Sequence, residues 1–151
     1  MKLVPLVIIA STLAACASKA PPRPSAAPET NKSLAAFEEV CLKTAPSFSG
    51  AKAAAANHGI AEVQDLGFTQ MGMAKDNSIG VQIKPDTECA ITTPSQKASD
   101  LGKGFYQVIV RNAETPPASR FPTKAKVGGV TFIFQHDRQG GEAFVMLKAK
   151  D

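Results

Sequence analysis

The sequence contains no tryptophan, a single tyrosine and only two histidines in its 151 residues. Proteins that bind nucleic acids usually present a basic patch and aromatic side chains on which bases stack. From Leu34 onward the chain has 13 Lys and Arg and 12 Asp and Glu, a net charge of only +1. We therefore expect no nucleic-acid partner.

The short motifs that mark common active sites are also missing. There is no Gly-x-Ser-x-Gly, no His-Glu-x-x-His, no phosphate-binding loop and no Cys-x-x-Cys. His58 precedes a glycine that is typical of a helix end, and His136 borders an apolar strand, so both have ordinary structural roles available. We predict a non-catalytic protein with no catalytic residues, cofactor or metal; a hydrolase that uses His58 or His136 is the remaining enzyme hypothesis.

Long apolar runs are absent except for Leu3–Ala15, about 13 residues after Lys2. A membrane-spanning helix needs roughly 20 apolar residues, so this pattern predicts a signal peptide over residues 1–15. The end of this run together with the next residue, Leu13-Ala14-Ala15-Cys16, resembles the lipobox of bacterial lipoproteins. The resemblance implies that Cys16 is lipidated and becomes the first residue of the mature chain. Because no Asp follows Cys16, it also implies an outer-membrane lipoprotein that faces the periplasm.

Four prolines and few apolar residues characterise the next segment, so residues 16–33 are predicted to be a lipidated cysteine with a Pro-rich tether. At about 3.1 Å per residue, such a tether reaches roughly 50 Å. Residues 34–151 then form one domain of ordinary size.

Within this domain the spacing of apolar residues predicts an α+β fold. A helix begins after Ser33 as its cap and ends before Pro46, and a second helix covers Ala51–Ala56, with Ser47 or Ser49 as cap and Gly59 as its end. Three strands follow, at 68–73, 79–83 and 89–93. Ser95 caps a third helix that runs through Ile109.

The C-terminal part reads as a β-hairpin, with strands at 130–136 and 143–149 and a glycine-containing turn. Residues 124–127 add an optional strand, and Glu114–Pro122 is a loop. The predicted order is α-α-β-β-β-α-β-β, with one further β optional, and the helices pack on one face of an antiparallel sheet.

Two cysteines remain in the domain once Cys16 is assigned to the lipid. In an oxidising compartment Cys41 and Cys89 are expected to form a disulfide between the first helix and the third strand. Closing a loop of about 49 residues stabilises the fold by roughly 4 kcal/mol in the chain-entropy model.

Several of these features are similar to a family of small exported alphaproteobacterial proteins of unknown activity. The similar features are Phe37-x-x-x-Cys41, Pro46 followed by Phe48, the alanine-rich helix and the single Cys89 at the start of a strand. The resemblance implies a fold and a compartment, and no activity.

Met71-Gly72-Met73 places two thioethers on one face of a strand, where we expect them to pack in the core. Thioethers are also ligands for Cu(I), which is the alternative interpretation.

For function, the sequence favours an envelope protein that binds or scaffolds another envelope component. The expected contact is an exposed sheet edge or the basic hairpin around Arg138, Lys148 and Lys150. The alternative is an inhibitor of an envelope or host hydrolase of the lysozyme type, with the loop Glu114–Pro122 entering the enzyme's cleft.

Overall fold

The fold is described by a computed structural model that covers residues 31–150. The predicted signal peptide, Cys16 and the tether up to Thr30 lie outside the described residues. The helices are α1 (Lys32–Ala36), continued by a π-helical segment (Phe37–Leu42), α2 (Ala51–Ala56) and α3 (Leu101–Asn112). The strands are β1 (Val63–Asp65), β2 (Gln70–Met73), β3 (Gly80–Lys84), β4 (Glu88–Thr93), β5 (Thr123–Val127), β6 (Val130–Asp137) and β7 (Glu142–Lys148).

The first helix begins at Lys32, two residues before the predicted start at Leu34. Asn31 caps it, because its side-chain oxygen accepts a hydrogen bond from the Ser33 N–H at 3.0 Å. The expectation that Ser33 is the cap is wrong, since Ser33 is only 2% exposed and donates its own hydroxyl to Asn31. The Asn31 side-chain amide also donates a hydrogen bond to the Gln96 side chain at 2.6 Å. This contact with a residue far along the sequence helps to hold Asn31 in the cap position.

The caps of the other two helices also differ from the prediction, although α2 spans Ala51–Ala56 as predicted. α2 begins after Gly50 and α3 after Asp100, and neither has a side-chain cap, so the predicted caps at Ser47, Ser49 and Ser95 are wrong. The predicted end of α2 is confirmed. Gly59 has φ +83°, the Gly59 N–H donates to Ala56 and the Ile60 N–H donates to Ala55, which is the Schellman pattern.

Seven antiparallel strands form one sheet in the order β1-β2-β3-β4-β7-β6-β5. β4 and β7, each the last strand of its meander, pair along the middle of the sheet. The predicted C-terminal hairpin and the optional β5 are present. Two details differ: β1 was not predicted, and β2 begins at Gln70 rather than at Phe68. Residues 31–150 therefore form a mixed fold of three helices and an antiparallel sheet.

The core contains every second side chain of β3 to β7 together with buried side chains of all three helices. Phe105 on α3 lies at its centre, with ring centroids 4.9 Å from Phe37 and 5.1 Å from Phe144. The expected disulfide is present: Cys41 and Cys89 are joined, both are fully buried, and their Cα atoms lie 5.5 Å apart. It ties the π-helical segment to β4. None of the helices within residues 31–150 is both long and apolar enough to cross a membrane.

Candidate functional site

The hairpin formed by β1 and β2 carries the exposed large apolar side chains of the described chain. Leu66 is 51% exposed, Phe68 77%, Met71 45% and Met73 52%. The other large apolar side chains of residues 31–150 are buried or only partly exposed. We call these four side chains the hairpin surface. Large apolar groups that cluster on an exposed surface mark contact sites more often than singly scattered ones do.

The turn of this hairpin is held by its own hydrogen bonds. The Leu66 N–H donates to the Thr69 carbonyl at 2.9 Å, and the Gly67 N–H donates to the Asp65 carboxylate at 2.8 Å. The Gln70 side-chain amide donates to the other Asp65 oxygen at 3.2 Å. Gly67 has φ +87°, which other residues rarely adopt. Leu66 and Phe68 are thus presented from a turn of defined shape.

Asp65 also fixes the charge at the base of this turn. Its pKa is lowered, chiefly by the hydrogen bond from the Gly67 N–H, then by the Gln70 amide, and to a lesser extent by the positive charge of Lys52. The carboxylate therefore stays ionised at neutral pH beside the exposed apolar groups.

The two methionines are exposed because the glycine between them must face inward. A Cβ atom at Gly72 would lie 2.6 Å from Ile60 Cγ2 and 2.7 Å from the Glu62 carbonyl oxygen, so only glycine fits this close approach. Successive side chains of a strand point to opposite faces, so Met71 and Met73 point outward. The expectation that both methionines pack in the core is wrong.

The hairpin turn lies at the end of the sheet opposite the start of the domain. Asn31 bonds Gln96, which follows the C-terminal end of β4. The turn at residues 66–69 lies beside the N-terminal end of β4, because β2, β3 and β4 pair antiparallel in that order. The six residues of β4 separate the two ends by roughly 20 Å.

Neither a protein-family model nor a curated protein nor a solved structure matches this chain. No relative therefore assigns a role to any of its side chains, and their roles follow from contacts, exposure and charge.

The structure pairs each histidine with a carboxylate that sequence spacing did not reveal. His58 Nε2 lies 2.9 Å from Glu39, which also accepts a hydrogen bond from Asn57 at 2.8 Å. The bonds from Asn57 and His58 lower the pKa of Glu39. His58 follows α2 and, with Asn57, lines an open groove of about 1010 Å³ beside Asn31.

His136 belongs to a buried network centred on Glu142. The side chains of His136 and Glu142 are 6% and 1% exposed, and His136 Nε2 lies 2.9 Å from Glu142 Oε2. Glu142 Oε1 accepts hydrogen bonds from the Gln96 N–H at 3.2 Å and from Arg138 at 3.0 Å. Burial alone would raise the pKa of Glu142, but the bonds from His136, Gln96 and Arg138 outweigh burial and lower it.

This network changes the interpretation of Arg138. Besides Glu142, its guanidinium donates to the Gln96 carbonyl at 2.9 Å, so it joins the β6–β7 turn to the loop after β4. Arg138 is thus engaged within the domain while its side chain stays 45% exposed, and the contact surface around Arg138, Lys148 and Lys150 stays a prediction. No Ser, Thr or Cys side chain within residues 31–150 hydrogen-bonds either imidazole.

The loop Glu114–Pro122, the predicted inhibitory loop, is attached to the domain at several points. The Glu114 N–H donates to Lys126, and the Tyr106 hydroxyl donates to the Pro117 carbonyl at 3.0 Å. Phe121 stacks on Phe105 with centroids 4.9 Å apart. The residues between Pro117 and Phe121 are exposed and carry no large apolar side chain.

Sequence reasoning missed the hairpin surface for an identifiable reason. The apolar pattern predicts a strand that begins at Phe68, although Asp65 and Gly67 before it are typical turn residues. The second signal was Gly72, since a glycine inside a strand often marks a close backbone approach. Together these two signals would have placed Phe68 in a turn and the methionines on the outer face.

Proposed function

We propose that this chain is an outer-membrane lipoprotein whose domain binds another component of the cell envelope without catalysing a reaction. Cys16 would carry the lipid, and residues 17–30 would be the tether that precedes the cap of α1. The observation that supports the binding role is the hairpin surface, which keeps four large apolar side chains in water on one defined turn and strand. Leaving them exposed gains nothing for folding, whereas their burial by a partner is favourable.

We also propose that the three helices lie on one face of the sheet and leave the other face to solvent. The strand residues between the buried ones support this arrangement, because Lys124, Lys126, Thr131 and Gln135 are exposed. Met71 and Met73 would then extend from the hairpin onto this open face. A partner could contact the turn and the face together.

Two experiments test the proposed function. Cells that express the full chain are labelled with radioactive palmitate, which should enter the protein and should not enter Cys16→Ser. A photo-reactive phenylalanine derivative then replaces Leu66, and irradiation of intact cells should give one reproducible adduct.

The adduct should disappear when Phe68→Ser is added. The same photo-reactive residue at Gln107, an exposed position on α3, is the matched control and should not give that adduct. If Leu66 and Gln107 give identical adducts, or if Phe68→Ser changes nothing, the hairpin surface is not a contact site.

Inhibition of a hydrolase is the second candidate function, and the hairpin supports it better than the loop Glu114–Pro122 does. The hydrogen bonds within residues 65–70 fix a narrow turn that presents Leu66 and Phe68. A turn of fixed shape binds an enzyme cleft with little loss of conformational entropy. The purified chain should then slow the lysis of cell walls by lysozyme, and Phe68→Ser should abolish the effect.

A further inference from the structure

The charges around the hairpin surface indicate what kind of partner it fits. Residues 53–73 contain two acids, Glu62 and Asp65, and no Lys or Arg. The neighbouring β3–β4 turn adds Asp86, and all three acids are exposed. Of the nearby cations, Lys52 acts on Asp65, Lys84 binds Glu88 at 2.9 Å, and Lys75 follows Met73 next to Asp76 in the sequence. The surface therefore has an apolar centre and a net negative surround.

Glu62 directly precedes β1 and Asp65 ends it, and β1 pairs with β2, which carries the exposed methionines; Asp86 lies in the β3–β4 turn. Asp65 is opposite Gln70 on β2, and the Glu62 carbonyl lies against Gly72. The carboxylate of Asp65 is held by the hydrogen bonds of the turn, so its charge has a fixed position relative to Phe68. A partner that covers Leu66 and Phe68 at the turn therefore also meets the negative charge of Asp65.

We propose that the hairpin surface binds a basic protein that offers an apolar pocket to Phe68 and a positive rim to Glu62 and Asp65. This inference rests on the proposed binding function and names the chemistry of its partner. Phe68 is the central anchor, because an aromatic side chain buries roughly 150–250 Å² and 77% of this one is available. The acids contribute complementarity and speed association.

The same charges disfavour a lipid surface as the occupant. Anionic headgroups attract basic segments and repel acidic ones within a Debye length of about 8 Å at physiological ionic strength. The turn also lies at the end of the sheet away from Asn31, where the chain from Cys16 enters the domain. A bilayer contact through Leu66 and Phe68 would bring Asp65 against the headgroups.

The test uses the full chain with the photo-reactive residue at position 66, so that its adduct identifies the partner. The partner is purified, and its affinity is measured for the wild type and for Glu62→Gln combined with Asp65→Asn. Asparagine keeps an oxygen that accepts the Gly67 N–H, so this bond of the turn is retained, whereas the exposed bond from the Gln70 amide is lost. The matched control is Asp76→Asn, because Asp76 makes the same kind of turn bond to Ser78 at the other end of the hairpin.

We expect the double variant to bind roughly three- to tenfold more weakly at low salt, with the difference shrinking at 0.5 M salt. Asp76→Asn should bind like the wild type, and the partner should have a basic contact surface. Phe68→Ser should weaken binding by roughly tenfold or more.

Three results would overturn the inference. The first is a partner that depends on Phe68 but is acidic, or is unaffected by the double variant, which leaves the proposed binding function intact. The second is Phe68-dependent binding to vesicles of phosphatidylethanolamine and phosphatidylglycerol, or an adduct with a second copy of this chain. The third is the absence of any Phe68-dependent adduct, which removes the proposed function as well.

Discussion

The buried pair of His136 and Glu142 gives the sharpest test of what stabilises the domain. Glu142→Gln keeps the size of the side chain but removes the carboxylate charge that is paired with the Arg138 guanidinium. Breaking such an ion pair from the side of its buried member costs about 3–5 kcal/mol. For the 120 described residues, at roughly 0.1 kcal/mol per residue, this is a quarter to two fifths of the total stability.

Thermal unfolding followed by circular dichroism measures this loss, which corresponds to a drop in Tm of about 10–20 °C. Glu114→Gln is the matched control, because Glu114 is 44% exposed and its ion pair with Lys126 is at the surface. That variant should change the free energy of unfolding by less than about 1 kcal/mol. Equal losses in the two variants would refute the role assigned to the Glu142 network.

The pH dependence supplies a second check on Glu142. Its pKa is lower in the folded protein than in the unfolded chain, so the ionised carboxylate stabilises the fold fully above the ordinary Glu pKa of about 4.3. This contribution is lost as the pH falls through the lower folded value. The stabilities of wild type and Glu142→Gln should therefore converge below pH 4, and a constant difference down to pH 2 would contradict the assignment.

Three further predictions concern the core, the disulfide and the hairpin. Replacing both Cys41 and Cys89 by Ala should lower the free energy of unfolding in urea by about 4 kcal/mol, since the bond closes a loop with a sequence separation of 48. Phe105→Ala, at a fully buried position, should cost about 3–5 kcal/mol in the same assay, whereas Phe68→Ser should cost less than about 0.5 kcal/mol. Gly72→Ala should destabilise the hairpin, seen as faster amide exchange in β1 and β2, because its Cβ would lie 2.6 Å from Ile60.

Much of the architecture could be predicted because strong local patterns agree with the tertiary structure. The alternation in Val130–Asp137 and the turn at Gly140 and Gly141 define β6 and β7. Helical spacing from Leu101 to Ile109 outweighs the β-branched run at residues 108–110. The disulfide could be predicted because the domain contains two cysteines, Cys41 and Cys89, and an oxidising compartment is expected, so one pairing is possible.

What could not be predicted depends on contacts between distant residues. β1 has three residues and a single buried side chain, Val63, so it carries no periodic signal and exists through its pairing with β2. The cap of α1 is Asn31 because Gln96, which is 65 residues away, holds its side chain. The exposure of Met71 follows from the close approach of Gly72 to Ile60, and the spacing of apolar residues does not predict that contact.

The place of β7 in the sheet determines when this chain can fold. β7 is the last strand within residues 31–150, yet it lies between β4 and β6, and its pairing with β4 joins the two meanders into one sheet. Until residue 148 is available, β4 has an unpaired edge, and such edges promote association with other chains. Cys41 and Cys89 both precede α3, so they are present for oxidation before the sheet can close. A chain that ends before Glu142 would retain both cysteines and lose the central pairing of the sheet.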